Sequence, residues 1–246
     1  MEPGPVTDAE LAAMLAGEAG RLLLELQQSG ELEGKALGRR GDDIGNGFLC
    51  AALRQYRPED ALLSEEEKDC DTRCSVSRVW IIDPLDGTRE YGEGRTDWAV
   101  HVALAIDGVA SAGAVALPGL GVTLCSGKPV ALMAANHPPK MLVSRSRPAA
   151  EAVAVAEKLG AELLPMGSAG AKAMAVVRGD ADIYLHTGGQ YEWDNCAPVA
   201  VAQAAGLHCS RIDGSAMRYN NRNPYLPDLL ICRQELVGRV MEALGS

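Results

Sequence analysis

The residues with the most chemistry in them run Trp80-Ile81-Ile82-Asp83-Pro84-Leu85-Asp86-Gly87-Thr88. An apolar stretch ends in an aspartate. Pro84 fixes its own φ and keeps Asp83 extended. Asp86 follows in the turn, so two carboxylates three residues apart converge at the tip of a strand. Like charges this close need a cation or a proton between them, and hard carboxylate oxygens suit Mg²⁺. Gly87 and Thr88 then offer unencumbered backbone amides at the start of a helix, a setting that binds phosphate. The Thr88 hydroxyl can orient a water. A bare Asp-Gly is usually only a turn, but here every position of the string has a role.

Two further acidic pieces stand apart in the chain. Glu65-Glu66 follows the apolar run Leu62-Leu63. Acid runs are usually solvated surface, but a pair directly after a strand is placed to aim one carboxylate into a cleft. Glu192-Trp193-Asp194-Asn195 opens a helix that runs to Ala205-Gly206. Taken alone, Asp194 is an early-turn carboxylate favoured by the helix dipole.

The elements that must position these residues can be read from patterning. Thr7-Asp8-Ala9-Glu10 matches a capping box, and Leu11, Leu15, Ala19, Leu22, Leu23 and Leu26 follow with helical period. That helix is expected to end near Ser29-Gly30. Residues 30–46, rich in glycine and charge, predict a loop, with a second helix from about 44 to 55. A short strand at 61–63, a surface connection at 67–77 and a buried strand at 79–83 follow. Residues 98–117 predict a hairpin about Asp107-Gly108, and 122–125 with 130–134 predict another about Ser126-Gly127-Lys128. After Pro138-Pro139 strands (141–144, 161–166, 181–186, 229–232) alternate with helices (149–159, 168–178, 193–205), which is the rhythm of an α/β layer set. Two lobes, 1–140 and 141–246, are expected.

Composition narrows the function class. The 246 residues carry 23 Lys plus Arg against 33 Asp plus Glu, a formal charge of −10. A general nucleic-acid binder needs a basic face, so no nucleic-acid partner is expected. A small anion held by a local site or by metal ions is compatible with that charge. Aromatics make up 4%, with Phe48 the one phenylalanine, so Ala, Val and Leu must build the core. Of seven cysteines only Cys70 and Cys74 lie close together, and no second pair follows, so free thiols in a reducing cytoplasm are expected rather than zinc. Met1-Glu2-Pro3-Gly4-Pro5 has no signal-peptide character. The most apolar region, 98–117, is interrupted by His101, Asp107 and Gly108, so no membrane span is expected.

Taken together, Asp83-Pro84-Leu85-Asp86-Gly87-Thr88 resembles the DPxDGT signature of the inositol monophosphatase superfamily. Trp193-Asp194 followed by Ala204-Ala205-Gly206 is similar to its second signature, and Glu65-Glu66 to its metal-binding acid pair. The three occur in the family's order and span nearly the whole chain. More closely, the chain resembles the CysQ-type 3′-phosphoadenosine-5′-phosphate phosphatases of actinobacteria, through residues 79–91, 97–101, 167–176, 218–220 and 224–230. The resemblance implies an αβαβα sandwich of the inositol monophosphatase and fructose-1,6-bisphosphatase type. It implies that Glu65, Asp83 and the Leu85 carbonyl hold one Mg²⁺, that Asp83, Asp86 and Asp194 hold a second, and that Glu65 reaches a third. Glu65 and Thr88 would position the attacking water, and the Gly87 and Thr88 amides would receive the phosphate. The family also carries an aspartate on the helix before the acid pair. Asp42 or Asp43 matches it, Asp42 fitting better by its spacing to Asn46. In place of the family's Thr-x-x-Asp stands Arg39-Arg40-Gly41-Asp42, and Asn195-Cys196-Ala197-Pro198 and Leu207 depart from the second signature.

The activity so implied is Mg²⁺-dependent hydrolysis of the 3′-phosphate of 3′-phosphoadenosine 5′-phosphate, or of its 5′-phosphosulfate form, in sulfur assimilation. Water displaces the leaving group in line, without a covalent enzyme intermediate, and Li⁺ inhibits. A homodimer is common in the family. Ser168 and Lys172, on a helix opened by Gly167-Ser168, can meet a phosphate. His186 can contact ribose or phosphate, and Tyr191, Tyr219 and Tyr225 can stack a base. Each also has a plain structural alternative: a solvated lysine, a core-edge tyrosine, a hydrogen-bonded histidine. His101 reads as structural and Asp213-Gly214 as a turn. The competing readings are the same chemistry on inositol monophosphate or fructose 1,6-bisphosphate and, from a different class, an inactive metal-binding regulator.

Overall fold

The computed structural model describes residues 6–245. The elements run α1 (Asp8–Ser29), α2 (Gly34–Tyr56), β1 (Ala61–Ser64), β2 (Arg78–Asp86), α3 (Thr88–Gly92), β3 (Ala99–Ile106), β4 (Val109–Leu117), β5 (Val122–Cys125), β6 (Lys140–Ser144), α4 (Ala150–Leu159), β7 (Glu162–Met166), α5 (Ala169–Arg178), β8 (Ile183–Tyr191), α6 (Glu192–Ala204), β9 (His208–Ser210), β10 (Tyr225–Cys232) and α7 (Val237–Gly245). One sheet has the order β1-β2-β3-β4-β5 and the other β7-β6-β8-β10-β9. In the first sheet β1 is parallel to β2, and the other pairs are antiparallel.

The layers follow from strand alternation. Trp80, Ile82, Val100, Val102 and Leu104 face α1 and α2, where they meet Leu11, Leu15, Leu23, Leu49 and Leu53. Val79, Ile81, Ala103 and Val115 face the opposite way, into a core shared with Met174 and Val176 of α5, Val199 and Val201 of α6, and Tyr184, Leu229 and Ile231 of the second sheet. The far face of that sheet packs Met141, Ile183, Leu185 and Leu230 on α4 and α7 through Val155, Leu159 and Val240. Helix pair, sheet, helix pair, sheet and helix pair make the expected αβαβα sandwich. Both faces of β2 are covered, which is why it reads as an unbroken apolar run. Small residues permit close layers: a Cβ added at Gly113 of β4 would stand 2.9 Å from the Ala200 Cβ of α6.

The capping box is present, Thr7 Oγ1 accepting from the Glu10 amide at 3.3 Å and Glu10 Oε2 from the Thr7 amide at 2.9 Å. Two expectations fail. Residues 34–43 are helical, not loop: α2 begins at Gly34. Its glycines are there for contact rather than for flexibility. A Cβ at Gly38 would lie 2.8 Å from Thr88 Cγ2, at Gly41 2.8 Å from the Tyr91 ring, and at Gly45 3.1 Å from Pro84. The helix is therefore held against the 84–91 segment at a distance only glycine allows. The second failure is at residues 130–134, which form no strand. Among the described residues β5 pairs with β4 alone, and the chain leading into β6 is anchored on Asp182, which accepts the Asn136 and Lys140 amides at 3.0 and 2.8 Å. Among the described residues no helix is long and apolar enough to cross a membrane.

Candidate metal centre

Asp83 and Asp86 are an odd number of residues apart, so a regular strand would point them to opposite faces. The β2–β3 register breaks between them: Asp83 pairs with His101 but Asp86 with Ala99, one extra residue on β2. That bulge, at Pro84-Leu85, reverses the parity and turns both carboxylates the same way. Asp83 Oδ1 accepts the Leu85 amide at 3.0 Å, which closes the turn.

Asp194 arrives from the first turn of α6, its Oδ2 accepting the Tyr191 amide at 2.5 Å. The start of α6 is pinned by Glu192, fully buried, which accepts the Asn220 and Asn221 amides at 2.7 and 2.8 Å. One oxygen each of Asp83, Asp86 and Asp194 lie within 4.8 Å of one another. Glu65 follows β1, its amide donating to the Ile82 carbonyl at 3.4 Å, and its carboxyl lies close enough to that of Asp83 for each to perturb the other. Asn46 of α2 holds this corner, accepting from Ser64 Oγ at 2.7 Å and Cys50 Sγ at 3.1 Å. Asp42, one turn earlier on α2, lies 3.4 Å from Thr88 Oγ1, which donates to the Leu85 carbonyl at 3.1 Å.

The charges in this cluster are poorly compensated. Burial, then Glu65, Asp86 and Asp194, hold Asp83 well above the usual carboxylate range. Glu65 keeps solvent access, yet the protein mass around its carboxyl, then Asp194, raise it to about 7. Burial and then Asp86 lift Asp194 to about 6. Burial and then Glu66 lift Asp42 to about 7. Asp86 is the exception. Burial alone would raise it, but His101 and donors from α5 outweigh that and bring it to about 2. Its Oδ2 accepts from Ser168 Oγ at 2.5 Å and the Gly170 amide at 2.6 Å, and its Oδ1 from the Ala169 amide at 3.1 Å. Four buried or crowded carboxyls held above their ordinary range are what an oxygen-ligand site for divalent cations looks like without its ions. With the Leu85 carbonyl beside them, the donor set fits hard metal ions.

The structure thus brings Glu65, Asp83, Asp86, Asp194, Asp42 and Thr88 together, with Leu85 and Gly87 in the connecting turn. Gly87, at φ 91°, would bring an added Cβ to 3.2 Å from the Ser168 Cβ, so the turn touches the start of α5. Ser168 itself, at φ 44°, is in a left-handed conformation disfavoured for a non-glycine residue, and its hydroxyl binds Asp86. Two other residues, His186 and Tyr219, are not gathered here, and Lys172 stands only within electrostatic reach of Asp86 and Asp194. Lys172 is buried, its Nζ donating to the Gly167 and Ser168 carbonyls at 3.0 and 2.6 Å and lying over the Tyr184 ring. His186 Nε2 lies 3.1 Å from the Gly189 carbonyl. Tyr219 is in the central core. Tyr191 and Tyr225 are exposed, and Tyr191 stacks on Trp193 at 4.7 Å between ring centroids.

His101 is a site residue that sequence reasoning left as structural. It is fully buried, with Nδ1 2.9 Å from the Trp193 carbonyl and Nε2 3.2 Å from Asp86 Oδ2. Burial opposes a charge there, but Asp86 outweighs it and holds His101 above its ordinary pKa. Gly170 makes room for it: an added Cβ would come within 2.0 Å of Nε2. The only sequence signal was a histidine on a strand two residues beyond Ala99, the register partner of Asp86, legible once the pairing is known.

Comparison with known proteins agrees with this architecture. Residues 9–244 match the inositol monophosphatase family. The chain is 50% identical to the 3′-phosphoadenosine 5′-phosphate phosphatase of Mycobacterium leprae, over 94% of this chain and 91% of that one. It is 30% identical to the 3′(2′),5′-bisphosphate nucleotidase CysQ of Escherichia coli, over 75% and 80%. Among solved structures, CysQ from Bacteroides thetaiotaomicron superposes with a TM-score of 0.81 at 23% identity, covering 93% of this chain and 98% of that one. Inositol monophosphatase II of Staphylococcus aureus gives 0.78 at 18%, covering 95% and 94%. The resemblance carried by the three acidic motifs is borne out, and the chain belongs to the inositol monophosphatase family of metal-dependent phosphatases.

Proposed function

We propose that this protein is a Mg²⁺-dependent phosphomonoesterase that removes the 3′-phosphate from 3′-phosphoadenosine 5′-phosphate, and from the 5′-phosphosulfate form, releasing AMP or its sulfated counterpart in cytoplasmic sulfur assimilation. The observation that carries the chemistry is the meeting of Asp83, Asp86 and Asp194 oxygens within 4.8 Å, with the Glu65 carboxyl in electrostatic contact with Asp83. The substrate rests on likeness to the mycobacterial phosphatase at 50% identity.

Glu65, Asp83 and the Leu85 carbonyl would hold one ion and Asp83, Asp86 and Asp194 a second, with Glu65 in reach of a third. Bound cations screen the monoester's charge, lower the pKa of water and stabilise the departing alkoxide. The chain's own residues do the rest. The Thr88 hydroxyl sits between the Leu85 carbonyl and Asp42 Oδ1. It takes a proton from an attacking water and passes its own to Asp42, whose carboxyl, near 7 in the metal-free protein, suits a base working at neutral pH. The Gly87 and Thr88 amides receive the phosphate oxygens. His101 and the Ser168 hydroxyl orient Asp86. The acidic residues come from both sides of residue 140, so the two lobes of the chain close on one cleft.

The test is phosphate release at matched concentrations of 3′-phosphoadenosine 5′-phosphate, inositol monophosphate and fructose 1,6-bisphosphate with Mg²⁺. A kcat/KM preference for the adenosine bisphosphate is expected, with inhibition by millimolar Li⁺. Preference for either sugar-type phosphate overturns the substrate. No turnover of any of the three favours a non-catalytic regulator.

A further inference from the structure

Arg73 is a buried charge in a surface connection. Every other residue from 65 to 77 is exposed or half-buried, yet the Arg73 side chain is 2% exposed. Four of its five N–H donors are placed. Nε and Nη2 donate to the two Asp69 oxygens, each at 2.7 Å, Nη1 donates to Asn220 Oδ1 at 2.9 Å, and Nη2 donates again to the Asn221 carbonyl at 2.9 Å. The contact is returned from the other side. Asn220 Nδ2 donates to the Arg73 and Val76 carbonyls at 3.0 and 3.3 Å, with Asn220 at a left-handed φ of 60° that asparagine tolerates better than most residues. Arg73 thus clasps together two segments 147 residues apart.

Each segment leads to a different carboxylate of the acidic centre. The connection 65–77 begins with Glu65, directly after β1. The 220–221 turn holds Glu192: both asparagine amides and Asn221 Nδ2, at 2.8 Å, donate to its buried carboxylate, two residues before Asp194 in the first turn of α6. Contacts therefore run without a break from the Glu65 connection through Arg73, Asn220, Asn221 and Glu192 to the helix start that carries Asp194. The Glu65 and Asp194 carboxyls lie close enough to repel one another. Freed, they would move apart, and a cation would have to draw them back at a cost in affinity. The other ties on this connection are open to solvent, Arg54 to Glu67 and Arg222 to Asp71 at 3.5 Å, and pairs of that kind hold little.

Resting on the metal centre proposed above, we infer that Arg73 is a positioning residue for it: its fork fixes the span between Glu65 and Asp194 and so keeps the cluster ready for its cations. None of its hydrogen bonds goes to a ligand carboxylate. It acts through Asn220, Asn221 and Glu192, and the planar, two-pronged guanidinium is what lets one side chain hold Asp69 and the far turn at once.

The full-length protein is compared as wild type, Arg73→Ala, Arg73→Lys and, for control, Arg211→Ala. Arg211 makes a two-point bond of its own, to Asp228 at 2.7 Å on each oxygen, but it joins β10 to the chain after β9, and neither carries a ligand. Mg²⁺ is titrated calorimetrically into metal-free protein, melting temperatures are recorded in EDTA, and phosphate release is followed against Mg²⁺ concentration. In Arg73→Ala the Mg²⁺ Kd and the Mg²⁺ concentration for half-maximal rate rise about tenfold or more, while kcat at saturating Mg²⁺ stays within about threefold. Arg73→Lys, which keeps the charge without the fork, falls between. Arg211→Ala melts lower and binds Mg²⁺ as the wild type does. An Arg73→Ala protein that melts lower yet keeps the wild-type Kd overturns the role, and so does an equal loss of Mg²⁺ affinity in Arg211→Ala, because the effect then follows stability alone. If Arg73→Ala does not fold, Arg73→Lys decides: a Kd raised about threefold supports the role and a wild-type Kd overturns it. A wild type that takes up no Mg²⁺ overturns the metal centre itself, and this role of Arg73 with it. The calorimetric titration needs no substrate, so it decides even where the proposed substrate is not turned over.

Discussion

Asp83 and Asp86 lie three residues apart in one acidic cluster, yet neutralising them should move stability in opposite directions in the metal-free protein. Both Asp86 oxygens already face donors, Oδ1 the Ala169 amide and Oδ2 the Ser168 hydroxyl and Gly170 amide. An asparagine must turn its NH₂ toward one of these sets, leaving buried donors opposed at a cost of about 1–3 kcal/mol. The fall of the Asp86 pKa from 3.8 to about 2 reports the same interactions from another side, and corresponds to about 2 kcal/mol in favour of the ionised form. Asp86→Asn should therefore lose about 2 kcal/mol, or about 4–8 °C in Tm for a chain of this size. Asp83→Asn differs. The Asn oxygen can still accept the Leu85 amide, its NH₂ can face Glu65, and a carboxyl whose ionisation burial and its neighbours make costly is gone. That variant should melt above the wild type. The assay is differential scanning calorimetry in EDTA at pH 7, with phosphate release in Mg²⁺ alongside. Both variants should lose most of their activity. Shifts of Tm in the same direction would refute the charge assignments, and normal turnover by Asp86→Asn would refute its place in the metal centre.

The metal-free protein should lose stability as pH rises. Asp42, Glu65 and Asp194 have folded pKa values of about 7, 7 and 6, above their unfolded values. Their contribution is thus fully present below about pH 4 and is lost on going up through pH 6–7; melting curves in EDTA from pH 5 to 8 should show the fall, and saturating Mg²⁺ should reduce it. Asp42→Asn should lower kcat about 10²-fold or more and remove the acid limb of the pH–rate profile, with the melting temperature in Mg²⁺ little changed. Gly41→Ala puts a Cβ 2.8 Å from the Tyr91 ring and 2.9 Å from Leu85 Cδ2, an overpacking of about 1–3 kcal/mol; denaturant unfolding should register it, and a neutral result would mean α2 is not held by these contacts.

Much of the centre was legible in the one-dimensional order of residues, because its parts are local. Asp83-Pro84-Leu85-Asp86-Gly87-Thr88 carries its turn with it, through the proline, the Asx bond to Leu85 and the glycine at φ 91°. The acid pair at 65–66 and Asp194 sit at element ends whose periodicity or cap is written in neighbouring residues. The α1 capping box and the Asp107-Gly108 hairpin are of the same kind.

What only the tertiary structure decided depends on contacts between segments distant in the chain. Residues 34–43 look like a loop because glycine is a poor helix former in isolation. They are helical because Gly38, Gly41 and Gly45 allow α2 to lie against Thr88, Tyr91 and Pro84, 39–50 residues further on. The parity of Asp83 and Asp86 turns on a bulge defined by β3, not by β2 itself. Lys172, which reads as a surface cation, is drawn inside by the carbonyls of its own helix start and the Tyr184 ring. His101 became part of the centre through its register and through the absence of a side chain at Gly170. Local stereochemistry sets which residues can do chemistry; long-range packing sets which of them meet.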